Sequence, residues 1–273
     1  MSKRWYDNTT VIITGASSGF GKLLSEKLVK NHNCKVIGIA RTLSKLESLK
    51  QELGDNFSFY AFDVSDNSKW EELYTTLTSQ GITVDILINN AGVLPPFTRF
   101  ENSDISKVQS VLNTNFFASL YSVKNMLPIL KKSPYRSIIN ISSSAALSTV
   151  VGTVSYSASK SALKSFTESL ALENDDFYIS LVCPGFAKTE IFRSQKQGSE
   201  KENSLLQKVC SDPEKIVNKL LKKLARKKKR IVLGADAKAM DFFTRMFPTL
   251  TPRMIKWVLK KSKVSLFDDV FID

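Results

Sequence analysis

A short β-branched run, Thr10-Val-Ile-Ile-Thr14, passes without a linker into Gly15-Ala-Ser-Ser-Gly-Phe-Gly21. From Gly19 onward, Phe20, Leu23, Leu24 and Leu28 recur at helical spacing. A strand, a glycine loop and a helix in that order constrain the chain more than any other feature. The same alternation then repeats. Apolar runs at Cys34–Ala40, Phe57–Phe62, Asp85–Ile88, Ser137–Ile141, Tyr178–Cys183 and Arg230–Gly234 read as strands. Helical patterns lie between them: Leu43–Leu53, Trp70–Leu77, one long stretch Ile105–Leu130, Ser155–Glu173 and a helix after Pro213. Strands alternating with crossover helices predict an α/β chain, a doubly wound parallel sheet in a three-layer α/β/α arrangement.

The loop glycines fit a phosphate cradle. Gly15 permits the tight turn, Gly19 lets the backbone approach a pyrophosphate, and Gly21 allows the helix to pack closely on the sheet. The helix N-terminus then faces the phosphates. The second strand ends Gly38-Ile-Ala-Arg41, with no acid for a ribose 2′-hydroxyl. An arginine there suits a 2′-phosphate, with Ser18 and Lys45 to assist, so the expected cofactor is NADP(H). Farther along, Tyr156-Ser-Ala-Ser-Lys160 puts a phenol and an ammonium one helical turn apart. A cation beside a phenol favours the phenolate and lowers its pKa toward the range useful for proton transfer.

The rest of the chain excludes other chemistries. Cys34, Cys183 and Cys210 are scattered and odd in number, so neither a disulfide framework nor a metal site is expected. The lone His32, in Lys30-Asn-His-Asn, reads as a surface turn and leaves no histidine triad or zinc site to build. MSKRWYDNTT lacks an apolar core segment, and no run of about 18 apolar residues exists, so neither a signal peptide nor a transmembrane segment is expected. Sparse cysteines point to a cytoplasmic setting. The net charge of +13 draws heavily on Lys219–Arg230, which lacks the interleaved aromatics of a nucleic-acid site and reads as a solvated helix face. The polar stretch Arg193–Ser204 reads as a surface loop or lid.

Taken together, these stretches resemble the short-chain dehydrogenase/reductase family, which has a Rossmann-like fold. The resemblance rests on Thr14–Gly21, Asp63-Val64, Asn89-Asn-Ala-Gly92, Asn115, Ile141-Ser-Ser143, Tyr156 with Lys160, and Pro184-Gly-Phe-Ala-Lys-Thr189, and covers about residues 9 to 190. It implies that Tyr156 exchanges a proton with the substrate oxygen, and that Lys160 lowers its pKa and binds the nicotinamide ribose. By the same resemblance Ser143 hydrogen-bonds the carbonyl or alcohol, and Asn115 holds a water in relay with Lys160. Cofactor contacts are implied for Gly15, Ser17, Ser18, Gly19, Phe20 and Gly21 in the loop, and for Asp63 and Val64 at the adenine. The remaining implied contacts are Asn90, Ala91 and Gly92 behind the fourth strand, with Pro184, Gly185 and Thr189 near the nicotinamide. The expected reaction interconverts a carbonyl and a secondary alcohol with NADP(H). The substrate is expected to be apolar, such as a hydroxysteroid or lipophilic ketone, because Val93–Phe97, Val150-Val151 and Phe186–Phe192 are apolar segments that border the site. A homodimer or homotetramer is the expected assembly.

One departure from the family pattern stands out. After a catalytic domain spanning 1–234, residues 235–273 form an extension with two amphipathic basic helices, Ala235–Phe247 and Pro252–Lys261. These helices cover the pocket, pair subunits, lie on a bilayer surface as a peripheral membrane contact, or pack Phe242, Phe243, Phe247 and Trp257 onto the core. Two further readings of the whole stay open: an NADPH sensor or scaffold without turnover, and a membrane-surface reductase of lipid metabolism.

Overall fold

The protein is described by a computed structural model over residues 3–187, 210–262 and 267–271. Seven strands form one sheet, β1 (Thr10–Thr14), β2 (Lys35–Ala40), β3 (Phe57–Ala61), β4 (Ile86–Asn89), β5 (Ser137–Ile141), β6 (Tyr178–Pro184) and β7 (Arg230–Leu233). The order across the sheet is β3-β2-β1-β4-β5-β6-β7, and every pairing is parallel. Strand succession reverses between β1 and β4, which opens a crevice at the carboxyl ends of these strands.

Alternate residues of each strand feed two cores. On one face Val11 and Ile13 pack with Leu24 and Leu28 of α1 (Gly19–His32), Leu46 and Leu49 of α2 (Leu43–Leu53), and Val217 and Leu221 of α7 (Pro213–Leu224). On the other, Ile12 and Leu87 pack with Trp70 and Leu73 of α3 (Asn67–Ser79), Val123 and Met126 of α5 (Ala118–Leu130), and Leu170 of α6 (Val154–Glu173). Both faces are covered, so the strands read as continuous apolar runs rather than alternating ones. Asp66, Asp104 and Asp212 cap α3, α4 (Ile105–Leu112) and α7 by accepting the backbone N–H two residues on. The basic residues of the Lys219–Arg230 run flank the buried stripe Ile216, Val217, Leu220, Leu221 and Leu224 of α7.

Three expectations need correction. The long helix expected over Ile105–Leu130 is interrupted: residues Asn113–Phe117 form a π turn between α4 and α5. The reason is Asn115, which is fully buried and spends its amide on a neighbouring loop. His32 is not a free surface turn. It ends α1, its Nδ1 lies 2.8 Å from Asp7 Oδ1, and its ring meets Tyr6 edge to face, because the N-terminal segment folds back over the helix end. Phe242, Phe243, Phe247 and Trp257 do not pack onto the core; they are 60%, 45%, 50% and 59% exposed.

The two helices after β7 are α8 (Ala235–Met246) and α9 (Leu250–Ser262). They turn Met240, Ile255 and Leu259 inward, onto a cluster of Leu94, Phe97 and Val150 that Phe267 and Val270 complete. Among the described residues, no helix is long and apolar enough to cross a membrane.

Candidate active site

The turn after β1 exists because two of its glycines have positive φ, +67° at Gly15 and +51° at Gly19. A side chain at Gly21 would collide with the Gly15 carbonyl, so the third glycine lets α1 start directly against the turn. The turn is tied to the neighbouring strands. Gly15 and Ala16 donate their N–H groups to the Ile39 carbonyl. The Thr14 hydroxyl oxygen accepts from both Asn90 and Ala91 N–H at 2.9 Å, and Asn90 Nδ2 returns a bond to the Thr14 carbonyl. The result is a bare backbone rim at the N-terminus of α1, suited to an anion.

On the other side of the crevice stand the polar side chains. Ser143 begins a short turn after β5, its Oγ accepting the Ala145 N–H at 3.2 Å. Tyr156, in the first turn of α6, lines the same cavity as Ser143, near enough for the serine hydroxyl to favour the phenolate. The serines on either side of Ser143 are engaged differently: Ser142 donates to the Lys160 carbonyl at 2.9 Å, and Ser144 is buried. One turn beyond Tyr156, Lys160 is 3% exposed and donates from Nζ to the Ile141 carbonyl at 3.0 Å. A Cβ at Gly92 would lie 3.2 Å from Lys160 Nζ and 3.3 Å from Asn115 Oδ1. The absence of a side chain there keeps the ammonium open toward the crevice. Asn115 clasps Val93 through both amide ends, accepting its N–H at 2.7 Å and donating to its carbonyl at 2.9 Å, and also donates to Ser159 Oγ.

Burial holds the Tyr156 phenol above its ordinary pKa, with the Ser143 hydroxyl opposing it. Burial also lowers Lys160 to about 8. Burial thus acts on both groups in the same sense, against the phenolate and against the ammonium.

A cavity of about 460 Å³ joins the two sides. Of the residues singled out from sequence, it brings together Gly15, Ser18, Gly19, Phe20, Asn90, Ala91, Gly92, Ser143, Tyr156, Lys160, Pro184 and Gly185. Leu94, Phe97, Val150 and Phe186 supply much of its apolar wall. Ser17 and Gly21 lie behind the turn, and Asn115 lies behind Gly92. Arg41, Asp63 and Val64 sit away from the cavity, past the ends of β2 and β3. Arg41 is 69% exposed and pairs loosely with Asp63 at 3.7 Å. Val64 is buried, its carbonyl accepting the Trp70 indole N–H. Thr189 and the Arg193–Ser204 loop lie outside the described residues.

Two contributions escaped the sequence reading. Asp236, in the first turn of α8, accepts the Phe186 N–H at 2.7 Å and so fixes the loop after β6. Phe267 and Val270 back the cavity wall at Phe97 and Val150. The only sequence signal for the second is an apolar spacing within the tail, Phe267 with Val270 and Phe271.

Comparison with known proteins agrees with this arrangement. The family model for short chain dehydrogenases matches residues 9–200. A benzil reductase ((S)-benzoin forming) of Saccharomyces cerevisiae is 33% identical over 190 residues, covering 66% of this chain and 72% of that one. An NADP-dependent 3-hydroxy acid dehydrogenase of Schizosaccharomyces pombe is 30% identical over 236 residues, covering 83% and 90%. The closed form of serine dehydrogenase complexed with NADP+ has the same fold, with a TM-score of 0.73 at 24% identity over 82% of this chain and 94% of that one. With the glycine turn, the Tyr156–Lys160 helix and the parallel sheet on one side and the family match on the other, this chain belongs to the short-chain dehydrogenase/reductase family, oxidoreductases that interconvert alcohols and carbonyls with a nicotinamide cofactor.

Proposed function

We propose that the protein is an NADP(H)-dependent reductase of apolar carbonyl compounds, working through Tyr156, Ser143 and Lys160. The observation that carries this reading is that Tyr156 and Ser143 open together onto a cavity walled by Leu94, Phe97, Val150 and Phe186. Two hydroxyls on one side of an apolar cavity suit a carbonyl oxygen, which gains negative charge as it is reduced.

The rim of Gly15, Ser18, Gly19 and Phe20 fits the cofactor's phosphates, because it offers backbone unobstructed by side chains. Asn90, Ala91 and Gly92 extend the same wall. When bound, the cofactor supplies the hydride. The chain's own residues do the rest. Ser143 donates to the substrate oxygen and fixes its position. Tyr156 gives the proton from its hydroxyl to that oxygen, and the buried Lys160 ammonium, one turn farther along the helix, would hold the cofactor's ribose. Asn115, pinned to Val93 and Ser159, holds the floor under Lys160. The apolar wall keeps water out, which strengthens each of these hydrogen bonds.

The 2′-phosphate preference rests on Arg41 at the end of β2, with Ala40 rather than an acid before it. Arg41 is exposed and close to Asp63, so it can turn from that carboxylate to a doubly charged phosphate. The name of the fission-yeast relative, an NADP-dependent enzyme, agrees, and the name of the budding-yeast relative, a reductase of benzil, agrees with an apolar ketone.

The test combines binding and turnover. NADPH should bind more tightly than NADH, and Arg41→Asp should reverse the order, an expected change of at least about tenfold in the ratio. Tyr156→Phe should retain NADPH binding and lose most ketone-dependent NADPH oxidation, on the order of 100-fold or more. Unchanged cofactor preference in Arg41→Asp would overturn the NADP(H) assignment. Retained turnover in Tyr156→Phe would overturn the catalytic one.

A further inference from the structure

Eight of the fifteen exposed large hydrophobic side chains among the described residues fall between Phe242 and Val258. They are not scattered. On α8, Phe242, Phe243 and Met246 face away from the core, while Ala237 and Met240 face into it. On α9, Met254, Trp257 and Val258 lie within one turn of each other on the outer side, while Ile255 and Leu259 face the pocket cluster. An exposed apolar patch concentrated on two consecutive helices marks an interaction surface.

Its charge selects the partner. The sequence of α9 contains Arg253, Lys256, Lys260 and Lys261 and no acid. Arg253 and Lys256 form the flank beside the apolar stripe, and neither has an acidic partner among the described residues. Lys261 Nζ lies over the Trp257 ring, 4.2 Å from its centroid, which sets a cation on the apolar stripe itself. The acids of α8 are engaged elsewhere: Asp236 accepts the Phe186 N–H, and Asp241 pairs with Arg230 and Arg245. A second copy brought onto this face would set cation against cation, on chains that each carry +13. A phosphate surface reverses the sign of that interaction.

We propose that the outer face of α8 and α9 docks on a bilayer containing anionic lipids, with Phe243, Met254 and Trp257 entering the acyl boundary and Arg253, Lys256 and Lys261 meeting headgroup phosphates. Neither the face nor its charges belong to the cavity, so the proposal stands independently of the substrate reading. It places a short apolar layer between lipid and the pocket wall, since the opposite side of α9 packs on Phe97 and Val150 through the cluster they share.

The full chain is tested by sedimentation with vesicles of phosphatidylcholine alone and of phosphatidylcholine with phosphatidylserine. Three cations near the surface should make binding to the anionic vesicles on the order of 100-fold tighter. The double variant Phe243→Ser/Trp257→Ser keeps every cation and should lose at least about tenfold of that binding. Trp257 emission, taken as the difference between wild type and Trp257→Phe, should shift to the blue on adding anionic vesicles, which keeps the proposal testable should the double variant fail to fold. Equal binding to both vesicles, equal binding by the double variant, or an unshifted Trp257 would each overturn it. So would sedimentation equilibrium showing a dimer that the double variant dissolves, since the face would then be occupied by a second copy.

Discussion

Lys160 shows what burial does to one residue. Its pKa falls to about 8 from the ordinary 10.5 because the ammonium loses its water. Below pH 8 the folded and unfolded chains both hold the proton, and the folded state bears the whole desolvation cost. That cost is about 3 kcal/mol by linkage. As pH rises from about 8 to 10.5 the unfolded state binds more protons than the folded one, so the cost fades and this site's contribution to stability increases with pH. Lys160→Met removes the cost at every pH. The cofactor-free variant should therefore compare best with wild type near neutrality and lose that advantage by about pH 10. Denaturant midpoints at the two pH values check this; a pH-independent difference would contradict it. The resemblance singled out Ser143, and the structure brings it with Tyr156 into the cavity. Asp236 was not legible in the chain, since its partner Phe186 stands fifty residues earlier and the bond is to a backbone N–H, which no side-chain pattern announces.

At the scale of elements, strands and helices followed from periodicity, with ends shifted by up to three residues. The break at Asn113–Phe117 did not. Its apolar spacing continues through the π turn, and the cause is a tertiary bond between Asn115 and Val93 that the local sequence cannot reveal. The same limit applied to the 267–271 segment, whose Phe267 and Val270 pack into the cluster behind the cavity. Its seat is Gly152, where φ is +79° and an added Cβ would lie 2.5 Å from Val270 Cγ2. Gly152→Ala should therefore cost about 1–3 kcal/mol from backbone strain and displacement of Val270. Thermal unfolding reads the loss, and earlier proteolysis near the C-terminus locates it. A stability equal to wild type would mean that the tail is not seated there.

Across the whole molecule, the two halves of the site come from distant parts of the chain. The glycine turn and the Tyr156–Lys160 helix belong to the part of the chain that the family match covers. The outer wall draws on Met240, Phe267 and Val270, beyond that match. This division predicts separable effects. Phe267→Ala should lower stability by about 3 kcal/mol. It should also raise KM for an apolar ketone several-fold, with NADPH affinity changed by less than about twofold. Equal losses in both would show that the wall and the cofactor rim are one unit. The sequence made the rim plain through its glycines. It left the wall open, because aromatic residues at helical spacing fit a core, a pocket and a lipid surface equally well until their burial is known.

The Thr14 hydroxyl, accepting two N–H groups from the next strand's loop, has a mechanical meaning. It joins the first half of the fold to the second at the bottom of the crevice, and Asn90 ties the joint back. That side of the crevice is a fixed jaw. The opposite side draws on Pro184, Gly185 and Phe186 after β6 and on the helices beyond β7. Within that side, Asp236 of α8 accepts the Phe186 N–H and so ties the chain after β6 to the helices after β7.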